Sequence, residues 1–228
     1  MTNRKLYEEF LKEKTVCIVG PSPSIKDIAN SSFKTKQEQL AKIESYDLIV
    51  RLNSVFPIQP SIKEYVGDRT NILYHCMSAD PKKGHFDVNY IKDKITWLVS
   101  SMPYKPPFSG DIDYFIARSR GSINFTVPDI NFFLNLEKTL GCRPNTGFFS
   151  IMDLLSCEIK ELFIIGITFF QGGYVKEYRD MNEQQALKLM DEHKNHKQEP
   201  QIELMKKVLE NDSRVKIDQH LYNRLYNE

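Results

Sequence analysis

Apolar residues along this chain fall into short unbroken runs, separated by polar stretches with helical spacing. Thr15-Val-Cys-Ile-Val-Gly20 is the first run. It ends in Gly-Pro-Ser-Pro-Ser and reads as a buried parallel strand feeding a tight loop. Tyr46-Asp-Leu-Ile-Val-Arg-Leu52, Asn71-Ile-Leu-Tyr74, Ile95-Thr-Trp-Leu-Val-Ser100 and Glu161-Leu-Phe-Ile-Ile-Gly166 have the same character, and Val215-Lys-Ile217 is a short last strand. Between them the pattern predicts helices at 24–29, at 36–44, at 130–140 behind a cap at Asp129, at 146–157, at 182–192 and at 200–210, with a terminal helix after the last strand. The stretch 103–121 holds Pro103, Pro106, Pro107 and Gly110 and is predicted to be mostly loop. Strands alternating with helices predict an α/β fold: a single Rossmann-like domain over 1–228 with a mostly parallel, doubly wound sheet.

Ligands of such sheets sit beyond the carboxyl ends of the strands. Four segments lie there: Gly20–Ser24, Arg51–Asn53, His75, and Thr168–Tyr178. Gly20 would let backbone approach a ligand, and Ser22 and Ser24 offer donors to a phosphate or ribose. The same five residues also read as a proline-rich turn capped by Ser24. Asn53 presents a donor and an acceptor suited to a nucleobase edge or ribose, or it serves only as a turn residue. Arg143-Pro-Asn-Thr-Gly147 leads into an apolar helix. Asn145 or Thr146 is a natural cap there, Gly147 permits close approach, and the helix start would either face an anion or simply begin the helix. His193 and His196 lie three apart, before a helix carrying Glu199, Gln201 and Glu203. They read as a metal pair, as a solvated helix start, or as a single general base, a role that suits a side chain titrating near neutral pH.

Composition narrows the classes. Lys+Arg number 31 and Asp+Glu 30, a net charge of +1, which disfavours nucleic acid or an anionic membrane as the main partner and leaves room for peripheral membrane contact. A chain of 228 residues buries about 70–75% of its unfolded surface and needs no metal or disulfide staple. No run of 18 apolar residues occurs. The N-terminus, MTNRKLYEEFLKEKT, is charged and lacks a signal-peptide core. The expectation is a cytoplasmic chain, or a domain trimmed from an anchored one. Cys17, Cys76, Cys142 and Cys157 show no CxxC spacing and are expected to be reduced and mostly buried.

Taken in order, these segments resemble the sialyltransferases. The pattern of the eukaryotic-type L motif is matched by Cys17-Ile-Val-Gly20, Tyr46-Asp47, Arg51-Leu-Asn53 and Val66-Gly67-Asp68-Arg69-Thr70; that of the S motif by Arg143-Pro-Asn-Thr-Gly147, Cys157 and Ile165-Gly166; and that of the VS motif by His196 followed by Gln201-Ile-Glu-Leu-Met205. The chain is also similar to the bacterial lipo-oligosaccharide sialyltransferases at Pro23-Ser-Ile-Lys-Asp-Ile28 and Gly166-Ile-Thr-Phe-Phe-Gln-Gly172. The similarity spans about residues 15–215, with 77–140 unmatched, where acceptor specificity usually lies.

This resemblance implies a sialyltransferase-type variant of the GT-A fold. It also implies an inverting, metal-independent transfer from a CMP-sugar to a glycan or glycolipid hydroxyl, with no cofactor. It assigns His196 as base, and Tyr174 and Tyr178 as donors to the leaving phosphate. Gly20, Ser22, Ser24, Asn53, His75, Asn145, Thr146 and Gly147 would bind the donor nucleotide. Cys17 and Cys157 match the positions of the eukaryotic family's disulfide, which implies a bonded pair or two thiols close in space. Two departures stand out: Pro21 replaces the family's Asn, and Phe170 replaces a Tyr of the bacterial family. They leave CMP-Kdo open as the donor, and a non-catalytic nucleotide-sugar-binding or scaffold module as another class.

Overall fold

The computed structural model describes residues 3–53, 56, 58–77, 88–175, 182–193 and 196–227. In chain order the elements are α1 (Arg4–Leu11), β1 (Thr15–Val19), α2 (Lys36–Glu44), β2 (Leu48–Leu52), α3 (Pro60–Val66), β3 (Ile72–His75), α4 (Val88–Ile91), β4 (Trp97–Ser100), α5 (Ser109–Ser119), β5 (Asn124–Thr126), α6 (Ile130–Leu140), α7 (Thr146–Leu155), β6 (Glu161–Ile165), α8 (Glu183–His193), α9 (Gln198–Asn211), β7 (Val215–Ile217) and α10 (Gln219–Tyr226).

The strands form one sheet in the order β5-β4-β3-β2-β1-β6-β7, with every pairing parallel. Helices cover both faces, which is why the strands read as continuous apolar runs. Val16 and Ile18 of β1 join Val50, Ile72 and Ile164 on one face, under α1, α6, α7, α9 and α10. Cys17 and Val19 join Ile49, Phe163 and Ile165 on the other, under α2 and α3. The remainder of that second face, around Leu73 and Leu98, is covered by α4 and α5. From β1 the chain steps outward to β5 and then returns to place β6 on β1's other side. The switch point therefore lies between β1 and β6, where an open α/β sheet forms its ligand crevice.

Several elements differ from their sequence-based expectation. The stretch 103–121 contains α5, because Ile112, Phe115 and Ser119 repeat at helical spacing and are buried. Gly110 lies in that helix's first turn. α1 was hidden by its charge; only Tyr7 and Leu11, four apart, are buried. The expected helix at 24–29 is two 3₁₀ turns, Pro23–Lys26 and Ile28–Asn30. Among the described residues no helix is long and apolar enough to cross a membrane.

Candidate active site

The switch point is built on two glycines. Gly20 ends β1 and donates its N–H to Ile165 at 2.8 Å, and the Ser22 N–H reaches the Gly166 carbonyl at 3.0 Å. A Cβ on Gly20 would sit 2.2 Å from that carbonyl oxygen; one on Gly166, where φ is +72°, would meet Ile25 at 2.5 Å. Gly20 therefore permits the close approach of the Gly166 backbone. Asp218, buried at the end of β7, accepts the Gly166 N–H at 2.9 Å and the Leu221 N–H at 2.7 Å. Burial raises its carboxyl, and these two bonds offset part of the rise.

Two side chains expected to face the donor are used internally. Ser22 Oγ accepts the Ser24 N–H at 3.2 Å, lies 3.1 Å from Thr168 Oγ1, and is buried. His75 is fully buried, and its Nδ1 accepts the Met77 N–H at 2.9 Å, which shapes the turn after β3. Both brace the crevice floor; neither is exposed to it. Asn53 takes φ +46° and its Oδ1 accepts the Cys76 N–H at 2.9 Å, joining the ends of β2 and β3. Ser24 Oγ and Arg143 Nε are buried and take no partner among the described residues.

The start of α7 closes the crevice. Asn145 Oδ1 caps the helix through the Phe148 N–H at 2.9 Å, while the N–H groups of Thr146 and Gly147 belong to the turn that has no intrahelical partners. Thr146 Oγ1 lies 3.2 Å from Ser101 Oγ. Gly147 packs over Leu52 and Ile167, so this helix start sits above the ends of β2 and β6. Just before it, the Arg143 guanidinium lies 5.5 Å from the Phe108 ring centre, and burial lowers its pKa.

His196 lies against this same turn. Its Nδ1 is 2.8 Å from the Arg143 carbonyl, and its Nε2 is 3.4 Å from Arg143 Nη2. A carbonyl only accepts, so Nδ1 carries the proton and Nε2 is the ring's proton-accepting atom. Gln201 completes the arrangement, accepting the Asn145 N–H on Oε1 at 3.1 Å. Half-buried Tyr174 packs its ring 6.0 Å from Phe170, and the next residue, Val175, donates its N–H to the Pro21 carbonyl at 2.8 Å. This brings the 169–175 turn beside the Gly20–Ser24 loop. Tyr178 lies outside the described residues, and His193 ends α8.

The cysteine pairing is corrected. Cys17 packs with Val19 and Ile49 on one face of the sheet, and Cys157 with Ile159 and Leu162 on the other. The sheet separates the two thiols, and all four cysteines are free. Burial pushes Cys17 up to about 12 and Cys157 to about 11.

One site residue escaped the sequence reading: Ser101 follows β4, so the strand-end rule could have singled it out, whereas Thr168 fell inside a strand-end segment without a role of its own. Gln201 gave no signal beyond its place in a helix. Among the described residues no three His, Cys, Asp or Glu side chains converge to hold a metal. A polar cleft of about 670 Å³ opens at the amino ends of β3 and β4, lined by Lys63, Asp68, Thr70, Asn71, Asp93 and Thr96 among others. That is the wrong edge of a parallel sheet for its ligand, and it shares no residue with the switch point.

No protein-family model matches the chain, and no curated protein sequence matches it. Solved structures do. The sialyltransferase CstII from Campylobacter jejuni, in complex with the substrate analogue CMP-3FNeuAc, superposes with a TM-score of 0.57 at 17% identity, covering 90% of this chain and 80% of that one. CstII in complex with a trisaccharide acceptor and CMP gives 0.53 at 14%, covering 90% and 80%. The monofunctional alpha-2,3-sialyltransferase Cst-I from the same organism gives 0.58 at 15%, covering 90% and 75%. The chain thus has the fold of these bacterial sialyltransferases, the GT-A-like α/β architecture expected for it.

Proposed function

We propose that the chain is a glycosyltransferase that moves a sialic-acid-type keto-sugar from CMP to a glycan hydroxyl, with inversion and without a metal ion. One observation carries this reading. The His196 ring is fixed on the Arg143 carbonyl, on a segment bonded to the N-cap of α7, so a proton acceptor and an anion-facing helix start are held together at the switch point. The likeness in fold to structures that hold CMP and a CMP-sugar analogue supports CMP as the nucleotide.

In the proposed reaction the acceptor oxygen bonds to the anomeric carbon while that carbon's bond to the phosphate oxygen breaks. The electron pair leaves with CMP, and the hydroxyl proton passes to His196 Nε2, which gives up its 3.4 Å contact with Arg143 Nη2 to the incoming hydroxyl. Charge gathering on the leaving phosphate is met by the Thr146 and Gly147 N–H groups, the α7 dipole and the hydroxyls of Tyr174 and Tyr178. Asn53 and Ser24 hold the cytidine or its ribose. The unmatched region 77–140 serves the acceptor.

Phe170 favours a second reading of the donor. It takes φ +70° and packs its ring on Tyr174, offering no hydroxyl where the resembling family has one, so CMP-Kdo is tested beside CMP-sialic acid. CMP is expected to raise the melting temperature more than UDP or GDP, and one of the two CMP-sugars is expected to release CMP. Equal shifts with all three nucleotides would overturn the donor assignment. CMP binding without release from either sugar would make the chain a binding module.

A further inference from the structure

Gln201 lies in the first turn of α9 and is fully buried, yet its carboxamide is satisfied at both ends. Its Nε2 donates to the Lys197 carbonyl at 2.6 Å, and its Oε1 accepts the Asn145 N–H at 3.1 Å. Lys197 follows His196 directly, and Asn145 lies two residues after Arg143. Two short segments, 143–145 and 196–201, are therefore tied across by His196 Nδ1–H to the Arg143 carbonyl, Arg143 Nη2–H to His196 Nε2 at 3.4 Å, and Asn145 N–H to Gln201. The side chain must accept from one segment and donate to the other. The glutamine amide does both from one side chain: a carboxylate of the same length lacks the donor, and an aliphatic side chain lacks both.

We propose that Gln201 is a positioning residue that holds the Arg143 carbonyl against His196 and so keeps the ring proton on Nδ1, with Nε2 as the accepting atom. The inference rests on the proposed role of His196 as base. The free histidine side chain prefers its proton on Nε2, and a ring in that form cannot accept there; Arg143 reverses the preference, with its carbonyl at Nδ1 and its Nη2 donor at Nε2, only while the 143–145 segment stays in place. Losing Gln201 releases the Asn145 N–H and the 143–145 segment, moves the carbonyl, and lets the ring revert. The same N–H belongs to Asn145, the α7 cap, so one side chain sets the base and steadies the anion-facing turn.

The test is nitrogen-15 NMR of the histidine rings, with His196 assigned by comparison with His196→Ala, in the wild type and in Gln201→Leu. The wild type is expected to show His196 protonated on Nδ1. Gln201→Leu is expected to shift it toward the Nε2–H form and to lower kcat about 10- to 100-fold, the scale of a small misplacement of a catalytic group, with donor KM changed less. Should Gln201→Leu fail to fold, Gln201→Met, which keeps the chain length, is read in the same way. An unchanged Nδ1–H signal in a folded variant would overturn the proposal, as would wild-type kcat. A wild type that releases no CMP would overturn the transferase reading instead, and the tautomer would still decide the role of Gln201.

Discussion

Replacing Arg4 by Met tests how the sheet's first face is held together. Arg4 Nη1 bridges both oxygens of Asp153, at 2.8 and 3.0 Å, and Tyr74 donates its hydroxyl to the same carboxylate at 2.7 Å. Tyr7 stands 2.9 Å from the Tyr74 hydroxyl, and Arg4 Nη2 lies 3.3 Å from the Cys157 sulfur. The Asp153 side chain is fully buried, so it cannot turn to water when Arg4 is lost. Removing one partner of a buried ion pair costs about 3–5 kcal/mol, because the other charge is left uncompensated. At about 2–4 °C per kcal/mol for a chain of this size, the melting temperature should fall by roughly 6–20 °C.

The pH dependence gives a sharper signature. Burial raises the Asp153 carboxyl, and the Arg4 charge is the largest influence pulling it back. Arg4→Met therefore lifts the folded-state pKa further above the unfolded one. The resulting penalty is absent below the unfolded pKa and grows as pH rises toward the folded value. Chemical denaturation at pH 5 and pH 8 should show the larger deficit, relative to wild type, at pH 8. A deficit under about 1 kcal/mol, the worth of an exposed pair, would refute the reasoning, as would one independent of pH.

Three further outcomes follow from packing and charge. Gly20→Ala drives a Cβ into the Gly166 carbonyl and should cost at least about 3 kcal/mol, the upper end of overpacking costs. Gly110→Ala, where a Cβ meets nothing, should be neutral or stabilising by up to about 1 kcal/mol. Denaturant midpoints check both, and a Gly20→Ala protein as stable as wild type would contradict the close approach of Gly20 and Gly166. In native alkylation at pH 8 followed by mass spectrometry, half-buried Cys76 should react first, whereas Cys17 and Cys157, both buried with raised pKa values, should react only after unfolding. A Cys17–Cys157 disulfide in the oxidised protein would contradict their placement on opposite faces.

The strands were legible because a parallel sheet buried on both sides demands unbroken apolar runs, and five of the seven have them. β5 was not, since Asn124-Phe-Thr126 is three residues long and partly exposed. The prolines ahead of α5 masked a good helical repeat behind them. The cysteine pairing failed for a reason present in the sequence: alternation along β1 puts Cys17 with Val19, opposite Val16 and Ile18, whereas matched positions alone say nothing of faces. The rule that ligands gather at strand ends picked out segments that the structure holds side by side, the Gly20–Ser24 loop against Thr168 and Val175, and Asn53 against Cys76. It could not reveal that Gly20, Ser22 and His75 are bonded to neighbouring protein groups, because such roles depend on contacts such as Ser22 with Thr168, 146 residues apart.

CMP release from a CMP-keto-sugar, measured for the wild type and His196→Ala beside their affinities for CMP, decides whether the chain is a transferase with His196 as its base. The wild type should turn over donor, and His196→Ala should lose about 10²- to 10⁴-fold, the scale of a general base, while binding CMP as before. Unchanged turnover in His196→Ala, or a wild type that binds CMP but releases none from CMP-sialic acid or CMP-Kdo, would contradict the account.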